Sequence, residues 1–129
     1  MNKIRLATII DCEGCVGITN CSEGYKRPQI QISQNERWYV ARFKKEFGFG
    51  SVHPSGTPNG WQYTAYYIQA LIICLTLRYE FEIKREQVEE IIKYYEHKLL
   101  NGTVHARKIL VSKMKRYSLS FKNGKWIKK

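Results

Sequence analysis

From Ile4 to Ile10 the chain is apolar apart from Arg5 and Thr8. A helix that is apolar nearly all round is buried on more than one side, and this run is too short for a bilayer, which takes about 20 residues. One side packs on the chain's own core. The other calls for a partner, and a second copy of the same helix is the simplest. Asn2 is placed to cap the N-terminus, and Gly14 to take the left-handed position past the end. After Gly14 the period changes to two. Val16 and Ile18 fall on one side, with Gly17, Thr19 and Cys21 on the other. Residues 22–28 read as a turn, and then Ile30 and Ile32 alternate with Gln29, Gln31 and Ser33. Such a pattern predicts a hairpin with an apolar inner face and a polar outer one.

Asn35 is expected to cap a second helix that reaches Phe47, with Tyr39, Val40, Phe43 and Phe47 as its stripe and Gly48 as its stop. Residues 49–53 form a third short strand and 54–60 a loop. A fourth strand covers 61–68, with Gln62, Thr64 and Tyr66 on one face. Helices are predicted over 70–79, 85–100 and 104–119, followed by a short basic tail. The order is α-β-β-α-β-β-α plus C-terminal helices. It predicts an α+β domain, a four-stranded antiparallel sheet with helices on one face. The whole of 1–129 is one domain, with a core over 1–100 and a helical extension over 101–129.

Charge then narrows the partner. Lys and Arg number 22 against 11 Asp and Glu, a net +11, and a balance that basic suggests nucleic acid. No leader or membrane run precedes the first helix, so the chain reads as intracellular, in cytoplasm, nucleoid or organelle, and not secreted. Its four cysteines are then free thiols. Cys12-Glu13-Gly14-Cys15 lacks a second pair at zinc spacing, and Cys12 is expected inside the buried helix. His53, His97 and His105 form no metal motif. Glu13 is the acid to explain, because a carboxylate at a helix C-terminus is disfavoured unless a cation offsets it. Hydrolysis of a phosphodiester needs an activated water and charge neutralisation. A divalent metal held by hard oxygen ligands such as Glu supplies both.

The stretch Leu6-Ala7-Thr8-Ile9-Ile10-Asp11-Cys12-Glu13-Gly14 resembles the signature helix of the LAGLIDADG homing endonucleases. Leu6, Ala7, Ile10, Asp11 and Gly14 match its letters, Ile9 and Glu13 replace Leu and Asp conservatively, and Thr8 and Cys12 are small substitutes. The order of elements resembles that fold over residues 1–100. The resemblance implies a homodimer that cuts both strands of double-stranded DNA at a long, roughly palindromic site. Its contact would run through Leu6, Ala7, Thr8, Ile10, Asp11 and Cys12. Glu13 would hold Mg²⁺ with the backbone of Gly14, and Mn²⁺ or Ca²⁺ could take the same site. Gln34 would position the attacking water, and Lys84 would sit near the scissile phosphate. The outer strand positions would face the bases: Gly17, Thr19 and Cys21, then Arg27, Gln29, Gln31 and Ser33, then Ser51 and His53, then Gln62, Thr64 and Tyr66. Gln pairs bidentately with adenine and Arg with guanine. Arg37, Arg85, Lys113, Lys115 and Arg116 are phosphate candidates. The other reading is a non-cleaving nucleic-acid binder on the same scaffold, a splicing helper or repressor. No membrane contact is expected.

Overall fold

The computed structural model describes residues 2–129. It divides into two compact units, Met1–Ile91 and Ile92–Lys129.

The first unit opens on α1 (Lys3–Glu13). The Asn2 side chain caps it by accepting from the Arg5 amide at 3.0 Å. Strands β1 (Gly14–Asn20) and β2 (Lys26–Gln34) follow as a hairpin, joined through a 3₁₀ turn at Ser22–Gly24. Helix α2 (Arg37–Phe47) ends at Gly48, whose φ of 77° is left-handed as expected. Its N-terminus differs from expectation. The cap position is Glu36, without a side-chain bond, so Asn35 does not cap it. Strands β3 (Ser51–Pro54) and β4 (Trp61–Tyr66) complete an antiparallel sheet in the order β1-β2-β4-β3.

Helix α3 (Ile68–Leu77) starts two residues earlier than its apolar pattern predicted. The Tyr67 amide donates to the Pro28 carbonyl, closing the β2–β4 ladder, and the chain turns into the helix at once. That turn holds Tyr67 at φ 57°, ψ −125°. Helix α4 (Arg85–Asn101) carries the boundary between the units.

Period two works as read. Val16, Ile30, Ile32, Tyr63 and Ala65 point to one side and are buried with Leu6, Ile10, Val40, Phe43 and Leu71. All three helices α1, α2 and α3 contact the strands. Helix α3 is buried nearly all round, at Ile68, Ala70, Leu71, Ile72, Ile73, Cys74 and Leu77, which is why it has no polar face.

The second unit holds the end of α4, α5 (Val104–Lys115) and a two-stranded sheet of β5 (Leu119–Lys122) and β6 (Lys125–Lys128). Thr103 caps α5 through the Ala106 amide at 3.1 Å. The segment expected as helix end and tail is therefore a hairpin. Its turn is Asn123-Gly124, both at positive φ, 53° and 74°, the conformation a two-residue hairpin loop requires. Phe121 packs against Trp126 with ring centroids 4.7 Å apart and the rings tilted by 43°, and the Trp126 indole donates to Glu96 at 2.9 Å.

Among the described residues, no helix is long and apolar enough to cross a membrane.

Candidate nucleic-acid interface and catalytic end

The strand register sorts the outer face rung by rung. Gly17 pairs Gln29, Thr19 pairs Arg27 and Cys15 pairs Gln31. Gln29 pairs Tyr66, Gln31 pairs Thr64 and Ser33 pairs Gln62. Ser51 pairs Thr64 and His53 pairs Gln62. Residues opposite one another in a ladder share a face, so these side chains line one surface. Cys15 belongs to it and was missed, although counting back by two from Gly17 reaches it. Cys21 lies just past β1, where its amide closes the hairpin loop on the Tyr25 carbonyl at 2.6 Å.

The face is knit together. The Arg27 guanidinium lies 4.3 Å over the Tyr66 ring and donates to Gln29 at 3.2 Å. Gln62 donates to Gln31 at 3.2 Å. Thr64 needs a correction. Its hydroxyl lies 3.4 Å from His53 Nε2 and only 3% of the residue is exposed, so it supports its neighbours rather than offering a group to a ligand. Each amide in the Gln31–Gln62 pair still has unused donors and acceptors.

At one end of this sheet the α1 C-terminus meets the start of β1. Gly14 does not take the left-handed conformation expected of it. It lies at φ −103°, ψ 172°, an extended residue that any side chain could adopt. It is small for another reason. A Cβ there would stand 2.9 Å from the Ile10 carbonyl oxygen and 3.1 Å from that of Gln31. The glycine lets helix and strand close up, and that fixes where Glu13 emerges.

Asp11 is buried, 6% exposed. Its carboxylate accepts from the Glu82 and Lys84 amides at 2.8 and 3.0 Å, and the Lys84 ammonium donates to the Asp11 carbonyl at 2.7 Å. The cation that a C-terminal carboxylate calls for is thus tied to the same turn of helix. Gln34 is the last residue of β2, two beyond the rung that pairs Ile32 with Gly14, and it lies at the same end. Arg37 stands 5.4 Å over the Trp61 ring, also beside that rung end. Arg85 is turned back onto the Phe81 carbonyl, at 3.2 and 3.3 Å.

One further neighbour of Glu13 was read only as an apolar stripe residue. The Tyr39 phenol lies within reach of the Glu13 charge. Lost hydration pushes its pKa above the ordinary tyrosine value, the Glu13 charge pushes the same way, and Arg42 and Arg5 oppose them. No cluster of three His, Cys, Asp or Glu occurs among the described residues. The Glu13 carboxylate is a hard oxygen donor of the kind a divalent cation takes.

The exposed surface of α1 is narrower than the six contact candidates. Leu6, Ala7, Ile10 and Asp11 are at most 6% exposed, spent on the chain's own core and on the 82–84 loop. Of the six contact candidates only Thr8 and Cys12 stay open. Ile4 joins them at 66% exposed, at i, i+4, i+8 spacing. They line a concavity of 350 Å³ with Tyr79 and Ile83. Cys12 is therefore an exposed free thiol rather than a buried one.

No family profile and no curated protein matches the sequence. Solved structures do match. The homing endonuclease I-CvuI, in complex with its target in the presence of calcium, superposes with a TM-score of 0.67 and 18% identity over 90% of this chain and 75% of that one. The archaeal intron-encoded homing endonuclease I-Vdi141I, complexed with DNA, gives 0.63 and 18% over 88% and 80%. The LAGLIDADG meganuclease I-AabMI, bound to uncleaved DNA, gives 0.63 and 26% over 88% of this chain and 42% of that one. The sequence motif, the αββαββα order and these superpositions agree: the chain has the LAGLIDADG homing-endonuclease fold.

Proposed function

We propose that the chain is a site-specific DNA endonuclease that works as a homodimer and needs a divalent metal. The observation that carries this reading is the α1–β1 junction, where Lys84 is bonded to the helix turn that ends in Glu13 and Gln34 closes β2 at the same end of the sheet. The DNA complexes among its structural neighbours and a net charge of +11 support the partner.

Glu13, with the backbone at Gly14, would hold Mg²⁺, which supplies Lewis acidity and a more acidic bound water. The chain's own groups do the rest. The Tyr39 hydroxyl, within reach of the Glu13 charge, would steady that carboxylate. Gln34 offers an amide that both donates and accepts, suited to orienting a water. Lys84, anchored on Asp11, places positive charge where a phosphate gains negative charge. Gln29, Gln31, Ser33, Gln62 and Arg27 present base-reading groups along the face, and a two-fold pair reads two half-sites.

A supercoiled plasmid library with randomised inserts, incubated with Mg²⁺, tests this. Linear product from some members is expected, and none with Glu13→Gln. Nicking that survives in Glu13→Gln removes the reading. Light scattering should give twice the chain mass.

A further inference from the structure

Charge is divided unevenly between the two units. Residues 92–129 carry eleven of the 22 Lys and Arg but one of the eleven Asp and Glu, a net +10 of the chain's +11. Residues 1–91, which hold the reading face and Glu13, are close to neutral at +1. The single acid of the second unit, Glu96, already accepts the Trp126 indole.

Within that unit α5 turns Val104, Arg107, Lys108, Val111, Ser112 and Lys115 to one groove of 720 Å³, closed by Leu99, Phe121 and the Asn123-Gly124 turn. The spacing i, i+3, i+4, i+7, i+8, i+11 is one helix face. Its three cations are exposed and meet no acid among the described residues of the unit.

We propose that the second unit is a sequence-independent anchor for the phosphate backbone of duplex DNA, centred on Arg107, Lys108 and Lys115, so that one unit supplies affinity and the other discrimination. The inference rests on the DNA reading above and deepens it. Charge complementarity selects the partner. Each phosphate neutralised releases counterions, and the slope of log K on log salt steepens by about 0.9. A near-neutral face of amides and hydroxyls can read base edges while contributing little of that slope.

The test measures binding of the full-length chain to a labelled duplex of arbitrary sequence across a salt series. Arg107→Gln/Lys108→Gln/Lys115→Gln should flatten the slope by about two to three. The charge-retaining Arg107→Lys/Lys108→Arg/Lys115→Arg should restore it. Lys3→Gln/Lys44→Gln/Lys45→Gln, three exposed cations of the first unit, should leave it nearly unchanged. Circular dichroism should show every variant folded. An unchanged slope in the first triple overturns the proposal. So does an equal loss in the third, and so does tighter binding of an RNA hairpin through the same three residues. A chain that shows the expected slopes but never cuts with Mg²⁺ overturns the nuclease reading and leaves the anchor standing.

Discussion

Gly14 and Tyr67 show how much a single backbone position can decide. Gly14→Ala would push a methyl to within 2.9 Å of a backbone oxygen that cannot swing aside. A stability loss of about 1–3 kcal/mol is expected, read from the urea midpoint. Tyr67 is the converse. Its positive φ suits glycine, and it is half exposed, so Tyr67→Gly should gain about 1 kcal/mol in the same measurement. That Glu13 ends α1 and Gln34 ends β2 was legible because the motif and strand lengths count them out. Tyr39 was not. Helical spacing makes it an apolar stripe residue, and only the fold brings its phenol within reach of the Glu13 charge. The use of Gly14 was also misassigned, since a chain sequence does not distinguish a glycine needed for φ from one needed for room.

Among the elements, strands and helices followed period and punctuation closely, because the sheet is buried on one face only and each helix has a clear stop. The exceptions are local. Helix α3 begins at Ile68 because Tyr67 turns the chain without a linker. The C-terminal hairpin went unread although its Asn123-Gly124 turn sits between Phe121 and Trp126, a strong hairpin signal. A run of lysines around it hid the alternation. The contact between α1 and the 82–84 loop depends on Asp11. Asp11→Asn should cost about 1.5–3 kcal/mol, since two backbone donors lose a charged acceptor. Denaturant unfolding would check this, and a loss below 0.5 kcal/mol would show the loop to be held by other means.

For the whole molecule, sequence could not reveal which side of α1 is spent inside the chain, because Leu6, Thr8, Ile10 and Cys12 are all small or apolar. The open stripe makes a sharp prediction. Ile4→Glu should leave monomer stability within about 0.5 kcal/mol, while light scattering shifts from dimer to monomer. Alkaline pH tests the buried core. Burial pushes the Cys74 thiol up from 9.0, with the Glu89 charge adding to it, and the Tyr63 phenol up from 10.0. The unfolded chain gives up both protons at lower pH than the folded one. Stability is therefore whole below the ordinary values and falls as pH rises through them, by about 1.4 kcal/mol per pH unit for each group. Tyr63→Phe should halve the slope above the tyrosine range, measured by urea unfolding at stepped pH.

The clamp that Asp11 makes on Lys84 is closed within one polypeptide. On the reading proposed above, each copy would then carry its own acid and lysine for one strand, set before the copies meet. Dilution far enough to part the copies should then yield open circles in place of linear DNA, with the ratio of the two tracking protein concentration on an agarose gel.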